Sequence, residues 1–310
     1  MPVPQRSRAT PVGAFGVVLV VLTAGCAFTS AADQAVTRDS RQAATVSGES
    51  VGGRSVTVVA AGDIARNPDD GRGTAKLIAS IGPDAVLTLG DNAYDSGTLA
   101  EYQRNYDPTW GRFKSITRPV PGNHEYDGND GAGYYQYFRD QISGDEYYAW
   151  NAGQWRMYAL NCEIDCGSGS PQLAWLRADL ATHPTRPALA YVHEPRFTCS
   201  THHPPETELS AVWSALKRGR GRIMLGAHNH AYERFARLDA QGRRSADGLR
   251  QFVVGTGGAS SYPLRSSCPN RISAQDESFG VLKLRLRPDS YSWKFIAVDG
   301  RVLDSGRGTA

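Results

Sequence analysis

The stretch LGAHNHAYER, residues 225–234, brings His228 and His230 to the end of an apolar run. If that run is a β-strand, the two imidazoles point to the same face, because side chains in a strand alternate with a period of two. A pair of this kind indicates either a metal site or two polar residues at a sheet edge that bind nothing. Two histidines alone do not decide between these interpretations, so the rest of the chain has to.

Four other apolar runs also stop at residues whose side chains bind metals. These runs are AAGD (60–63), LTLGDNAY (87–94), RPVPGNHE (118–125) and AYVHE (190–194). In open α/β sheets, ligands bind beyond the carboxyl ends of the strands. We therefore expect five separate segments to direct Asp, Asn, Tyr and His side chains toward one edge of the fold.

Short apolar runs alternate with helix-like stretches from residue 54 onward, which predicts an α/β fold with strands buried on both faces. Thr98 with Glu101, and Ser170 with Pro171, predict two helix starts. The segment EYYAWNAGQWRMYALN (146–161) predicts a hairpin, and strict alternation on both sides of RPDS (287–290) predicts antiparallel strands. The fold class is therefore mixed, α/β with α+β character.

In order and type, the five segments resemble the calcineurin-like metallophosphoesterases and, within them, the purple acid phosphatase type. The family pattern stands here as GD (62–63), GDNAY (90–94), GNHE (122–125), YVHE (191–194) and GAHNHAYER (226–234). The resemblance implies two packed mixed β-sheets flanked by helices, with a metal site along their shared edge. Two departures from the pattern are Ala65 and Ala227, which stand where glycine is usual.

The resemblance also implies two metal ions. Asp63, Tyr94 and His230 would hold one ion, Asp91 would bridge, and the other ion would be held by Asn123, His193 and His228. A phenolate favours ferric iron, and amide and imidazole ligands suit a softer divalent ion. The expected cofactors are therefore Fe(III) at the Tyr94 site and Zn, Mn or Fe(II) at the second site.

Three further histidines are candidate catalytic residues by the same resemblance. His202 and His203 follow His193 by nine and ten residues in HEPRFTCSTHHPP (193–205) and would contact the substrate phosphate, one of them as general acid. A solvated loop is the alternative for this segment. His124 would contact phosphate or support a ligand, with Asp127, Glu125 or no residue as its partner.

The implied activity is hydrolysis of phosphate monoesters by attack of a metal-bound hydroxide, without a side-chain nucleophile. A phosphodiesterase or nucleotidase using the same site is the first alternative, and a surface binding protein with a vestigial site is the second. The expected partner is a small-molecule phosphate ester.

The formal charge of +3 falls to +1 when Arg6 and Arg8 leave with residues 1–32, which argues against a nucleic-acid scaffold. The oligomeric state stays open.

Residues 1–32 are typical of an export signal, with a basic start, an apolar run and small residues. Cys26 after LTAG resembles an acylated lipobox cysteine, and cleavage after Ala32 is the alternative. A flexible linker (33–53) and one catalytic domain (54–306) would follow. We expect a bacterial protein that is secreted or anchored at the cell surface, touching the membrane only through Cys26.

Four cysteines remain after Cys26, and an even number in an exported protein favours disulfides. Cys162 and Cys166 are close enough to close a small loop, which leaves Cys199 with Cys268, although three pairings are possible.

Overall fold

The computed structural model describes residues 54–142 and 146–310. The predicted export signal, the lipobox cysteine Cys26 and the linker 33–53 lie outside the described residues. The predicted end of the catalytic domain at residue 306 falls within the last strand, which runs to Thr309.

Thirteen strands are present in the described residues. In chain order they are β1 (Val56–Ala61), β2 (Ala85–Leu89), β3 (Thr117–Val120), β4 (Tyr148–Ala152), β5 (Trp155–Ala159), β6 (Ala188–Tyr191), β7 (Gly221–Gly226), β8 (Tyr232–Leu238), β9 (Leu249–Val254), β10 (Arg271–Gln275), β11 (Gly280–Leu286), β12 (Ser290–Ala297) and β13 (Val302–Thr309).

The strands form two mixed sheets, which confirms the predicted fold class. The first has the order β13-β12-β11-β1-β2-β3, and the second has the order β10-β8-β9-β7-β6-β5-β4. Pairing is parallel from β1 to β3 and among β5, β6, β7 and β9, and antiparallel elsewhere. The predicted hairpin is β4–β5, and the alternating C-terminal segment is β11–β12. The parallel strands therefore form one side of the first sheet (β1, β2 and β3) and the middle of the second (β9, β7, β6 and β5).

The helices of the described residues connect these strands. They are α1 (Arg72–Ile81), α2 (Leu99–Glu101) continued by a π-helical turn (Tyr102–Tyr106), a 3-10 helix (Trp110–Ile116), α3 (Asn123–Tyr126), α4 (Ala132–Ile142), α5 (Pro171–Thr182) and α6 (Leu209–Arg218). None of them is both long and apolar enough to cross a membrane.

Both predicted helix starts are capped as expected. The Thr98 hydroxyl accepts the Glu101 amide while the Glu101 carboxylate accepts the Thr98 amide, and the Ser170 hydroxyl accepts the Leu173 amide. The helix after Thr98 differs from the expected α-helix, because it continues as a wider π-helical turn from Tyr102 to Tyr106. This turn places the rings of Tyr102 and Tyr106 edge-on against the ring of Phe138.

The main core lies where the inner faces of the two sheets meet. Tyr232 of the second sheet stacks on Phe295 of the first with ring centroids 4.1 Å apart, and Phe252 meets Trp293 edge-on. A smaller core lies under α5 and α6. Disulfides join Cys162 to Cys166 and Cys199 to Cys268, the first of the pairings considered from sequence.

Candidate metal centre

The predicted ligands all follow strands that end at one edge of the molecule. They come after β1, β2, β3, β6 and β7, in the order Asp63, Asp91, Tyr94, Asn123, His193, His228 and His230. Three of them have a left-handed backbone, with φ of 58° at Asp63, 49° at Asp91 and 64° at His228. This conformation costs about 1–3 kcal/mol at a residue other than glycine, and such strain clusters at functional sites.

One group of these side chains surrounds the hydroxyl of Tyr94. The carboxylates of Asp63 and Asp91 each place an oxygen 3.1 Å from it, and His230 Nε2 lies 3.2 Å away. All four side chains are buried. One hydroxyl hydrogen can satisfy only one of these three acceptors. The second oxygen of Asp63 is buried and has no hydrogen-bond partner among the described residues.

A second group surrounds Nε2 of His193. Asp91 Oδ2, Asn123 Oδ1 and His228 Nδ1 lie 3.3, 3.2 and 3.1 Å from it. The other ring nitrogen of His193 lies 2.8 Å from the Leu89 carbonyl, which can only accept, so the hydrogen of the neutral ring is on Nδ1. Nε2 then presents a lone pair to the three other polar atoms. A cation among these atoms would satisfy them together.

Asp91 belongs to both groups. Its Oδ2 atom lies 3.1 Å from the Tyr94 hydroxyl and 3.3 Å from His193 Nε2. Two sets of potential ligand atoms, each within 4.8 Å of one another, share this residue: Asp63, Asp91 and His230, and Asp91, His193 and His228. The donor set therefore fits two neighbouring cations held on either side of one carboxylate.

The electrostatics of the buried groups also favour a positive charge here. Burial opposes ionisation of Asp91, but the charge and hydrogen bond of His193 outweigh it and hold the pKa of Asp91 well below its usual range. Burial likewise opposes protonation of His193, yet Asp91 raises the pKa of His193 well above its usual range, so a positive charge at Nε2, either a proton or a cation, is favoured. Burial and the charge of His193 lower the pKa of His228 to about 2, so this ring stays neutral and can donate its lone pair.

His124 lies beside the same carboxylate, and its ring is paired with a backbone carbonyl. Its Nδ1 lies 2.6 Å from the carbonyl oxygen of Asp95, and its backbone amide donates to Asp91 Oδ1 at 3.0 Å. Neither Asp127 nor Glu125 pairs with the ring, because the turn into α3 directs the ring toward the loop after Tyr94. His124 Nε2 is left 3.9 Å from Asp91 Oδ2, at the edge of the ligand group.

Glu125 has a role that sequence reasoning missed. This fully buried carboxylate accepts the amides of Asp91, Asn92 and Gly122 at 2.8 Å each, and so joins the loops after β2 and β3. Burial and the nearby Asp91 charge raise the pKa of Glu125 to about 7. The acidic fourth position of GNHE was visible in the sequence, but apart from the Tyr102 hydroxyl its partners are backbone amides, which leave no pattern in side chains.

The histidine pair reaches the same edge from the loop after β6. The His203 ring lies 3.9 Å from the His228 ring, and the His203 amide donates to Asn229 Oδ1 at 3.3 Å. The ring centroids of His202 and His203 are 4.8 Å apart. Burial and the charge of His202 lower the pKa of His203. His203 is therefore packed against a candidate ligand, whereas the neighbouring His202 is exposed to solvent.

Two more residues at this edge were not found from sequence. Ser260 Oγ lies 2.6 Å from His230 Nδ1, and the ring of Tyr262 stacks on the His230 ring at 3.9 Å. Both follow β9, which is parallel to β7 and ends at Val254. The rule that located the other segments, polar residues after a parallel strand, applies here too and would have located them.

Comparison with known proteins agrees with this geometry. A family model described as calcineurin-like phosphoesterase matches residues 56–232. A probable purple acid phosphatase 20 from Arabidopsis thaliana is 27% identical over 164 residues, which cover 44% of this chain and 38% of that protein. The chain therefore spans less than half the length of this curated relative.

Solved structures show the same fold at low identity. A purple acid phosphatase, PPD1 from yellow lupin (Lupinus luteus) seeds, superimposes with a TM-score of 0.68 and 18% identity over 82% of this chain and 54% of that one. GAP50, the anchor in the inner membrane complex of Plasmodium, has a TM-score of 0.62 and 12% identity, covering 82% and 89% of the two chains. At these identities the likeness shows the fold alone.

Proposed function

The chain belongs to the calcineurin-like phosphoesterase family, and we propose that it is an exported phosphatase that hydrolyses phosphate monoesters at a centre of two metal ions. Its substrate would be a small-molecule phosphate ester. The similarity to a probable purple acid phosphatase supports the monoester class, and the donor set supports the metals.

The observation that carries this proposal is the position of Asp91 in both groups of candidate ligands. Asp63, Tyr94 and His230 would hold one ion, and Asn123, His193 and His228 the other, with Asp91 between them. Burial and the charges of Asp63 and Asp91 raise the pKa of Tyr94 well above its usual range. Its ionisation therefore needs a strongly charged cation, which favours Fe(III) at the Tyr94 site and Zn, Mn or Fe(II) at the other.

When bound, the two ions would neutralise the charge of the phosphoryl oxygens and acidify a water molecule. The chain supplies the remaining functions. The rings of His124 and His203 lie beside Asp91 and His228, where they can orient the phosphate. His202 and His203, whose rings are 4.8 Å apart, are the candidates to protonate the leaving alkoxide. No serine or cysteine nucleophile is required by this arrangement.

The fold alone does not select the phosphatase function, because one fold can host several activities. GAP50, an anchor protein, has a similar fold, so the second alternative for this chain, a binding protein with a vestigial site, also has to be tested. Here the two groups of candidate ligands that share Asp91 favour the enzyme. The first alternative, a phosphodiesterase that uses the same residues, is distinguished from the monoesterase by the substrate panel described next.

The test is a panel of aryl phosphates, bis-aryl phosphates and nucleotides, assayed with the metal-loaded protein and with a chelator-treated control. We expect the highest kcat/KM for monoesters and loss of activity after metal removal. A preference for bis-aryl phosphates would replace the monoesterase by a diesterase. Cleanly folded protein that binds no metal and hydrolyses none of these esters would support the vestigial binding site.

The identity of the first metal is tested by a visible spectrum combined with metal analysis. A ferric ion bound by Tyr94 predicts a purple or pink protein, and Tyr94→Phe removes the phenolate while keeping the buried ring. We expect the visible band to disappear in this variant with the fold retained. An unchanged spectrum in Tyr94→Phe would contradict the assignment of Tyr94 as a ligand.

We also propose that the protein acts outside the cytoplasmic membrane, either secreted or held by a lipid on Cys26. The support is the sequence pattern of residues 1–32, which lie outside the described residues. Cell fractionation of the wild type and of Cys26→Ala tests both forms. A shift from the membrane fraction to the medium in Cys26→Ala indicates a lipid anchor, and secretion of both proteins indicates cleavage after Ala32. Retention of both proteins in the cytoplasm would contradict export.

A further inference from the structure

Tyr262 lies between a candidate metal ligand and a candidate catalytic histidine. Its ring is nearly parallel to that of His230, with centroids 3.9 Å apart and an interplanar angle of 11°. The ring of His202 lies 4.0 Å from Tyr262 at an angle of 30°. These three rings form an aromatic column that runs from the metal centre to His202.

The backbone around Tyr262 is joined to both ends of this column. The Tyr262 amide donates to the carbonyl of His230 at 3.0 Å. On the other side, the amide and hydroxyl of Thr201 donate to the Pro263 carbonyl at 3.2 and 3.0 Å. The Cys199–Cys268 disulfide closes the same junction. The segment that carries Tyr262 therefore holds the histidine loop at a set distance from the loop between β7 and β8 that carries His230.

His202 and His203 are supported in different ways. The His203 ring packs directly on His228, and its amide is held by Asn229. The backbone amide of His202 donates a hydrogen bond to Ser200 Oγ, but among the described residues the ring nitrogens of His202 have no hydrogen-bond partner. Its ring contacts His203 edge-on at 4.8 Å and Tyr262 at 4.0 Å. His202 is exposed to solvent, so its ring is oriented by these two ring contacts, of which the one with Tyr262 is the closer.

We propose that Tyr262 is a positioning residue that holds the imidazole of His202 against the substrate side of the metal centre, and that it does so through its ring and not its hydroxyl. The inference rests on the proposed function, since the reaction that His202 serves is the hydrolysis of a phosphate ester. Phenylalanine should replace Tyr262 without loss, whereas an aliphatic residue should leave His202 free to turn away.

The kinetic test compares Tyr262→Phe and Tyr262→Leu on an alkyl phosphate and on an activated aryl phosphate. General acid catalysis contributes on the order of 100-fold or more, and misplacing the acid loses part of it. We expect Tyr262→Leu to lose about tenfold in kcat/KM on the alkyl phosphate and much less on the aryl phosphate, with metal content unchanged. Tyr262→Phe should stay within about twofold of the wild type on both.

The matched control is Tyr147→Leu, because Tyr147 is also partly buried and packed on a ring, that of Trp175 at 5.0 Å. We expect wild-type kinetics from this variant. Equal losses on the two substrates in Tyr262→Leu, or a loss in Tyr262→Phe as large as in Tyr262→Leu, would overturn the positioning role. Loss of bound metal in Tyr262→Leu would show that Tyr262 supports His230 and not His202.

A second measurement separates this inference from the proposed function. In zinc-loaded protein, NMR relaxation of the His202 ring reports its mobility whether or not the protein hydrolyses phosphate esters. We expect the order parameter of this ring to fall in Tyr262→Leu and to keep its wild-type value in Tyr262→Phe and Tyr147→Leu. If the wild type hydrolyses no phosphate ester, the proposed function fails while the ring measurement still decides the inference. An unchanged order parameter in Tyr262→Leu would overturn it.

Discussion

The methyl group of Ala227 packs against Gly62, so closely that a β-carbon at residue 62 would lie 2.6 Å from Cβ of Ala227. This contact brings together the segments that carry Asp63 and His228. Ala227 stands where the family pattern has glycine, and the structure shows why alanine is accommodated. The left-handed backbone is at His228, and the glycine that the close approach requires is Gly62.

Gly62→Ala should therefore destabilise the protein by about 1–3 kcal/mol, because the added methyl group overlaps a packed neighbour. Ala227→Gly in the same chain should recover only part of this loss, since the new methyl would still lie 2.9 Å from the Leu89 carbonyl. Urea denaturation of the two single variants and the double variant measures the coupling. If the double variant is no more stable than Gly62→Ala, the contact with Ala227 is not the cause.

Asp91→Asn should remove both metal ions and the activity together, because Asp91 is shared by the two groups of candidate ligands. We expect kcat/KM to fall by about 100-fold or more, since even residues that only support a ligand change metal affinity by 10–100-fold. Metal analysis of the purified variant is the measurement, and Asp140→Asn on the exposed face of α4 is the control. Two ions per chain with full activity in Asp91→Asn would refute the bridging role.

His203→Ala should slow poor leaving groups more than good ones, because the change removes either the proton donor itself or the ring that packs edge-on against His202, the other candidate donor. On an alkyl phosphate we expect kcat/KM to fall by about 100-fold or more, and by much less on an aryl phosphate whose phenolate leaves unprotonated. His183→Ala at the end of α5 serves as a histidine control away from the ligand groups. Equal losses on both substrates would show that His203 binds the phosphate and does not donate a proton.

Because of Asp304, the free energy of unfolding should depend on pH in the acid range. It accepts hydrogen bonds from Tyr232, Arg234 and Trp293 at 2.7–3.0 Å and so ties the two sheets together. Burial opposes its ionisation, but the Arg234 hydrogen bond and charge, with the other donors, lower the pKa of Asp304 overall.

A lowered pKa means that the stabilisation is complete above the unfolded value of about 4 and is lost as the pH falls through the folded value. Asp304→Asn should cost about 1–3 kcal/mol at pH 7 and flatten the decline of stability below pH 4. Denaturation curves from pH 2 to 7 measure this, with Asp140→Asn as the control. A variant with the same acid slope as the wild type would exclude Asp304 as its source.

The two disulfides should contribute unequally to stability. Cys199–Cys268 joins residues 69 apart, whereas Cys162–Cys166 joins residues 4 apart. The loop-closure entropy predicts a stabilisation of about 4 kcal/mol for the long loop and about 2 kcal/mol for the short one. Urea denaturation of the two paired Cys→Ala variants tests this order. A larger loss from the Cys162 and Cys166 pair would show that native contacts, not chain entropy, dominate.

Much of the fold and of the candidate site could be predicted because it depends on local patterns. Strands that are buried on both faces must be apolar throughout, so the runs before Asp63, Asp91 and His193 were visible. Helix starts at Thr98 and Ser170 were visible because a cap is a contact between residues three apart. The candidate ligands were visible for a similar reason, since each lies within a few residues of the end of a strand.

The sequence by itself determined which side chains stand at the strand ends and that a cation would suit them. Only the tertiary structure decided which of them share a neighbour. Three contacts show this. Asp91 lies between Tyr94 and His193, Glu125 accepts hydrogen bonds from backbone amides of two loops, and Tyr262 separates His230 from His202. Each contact joins segments that are far apart in the chain. Such contacts are set by the packing of the two sheets, which brings together loops that carry no mutual pattern in the sequence.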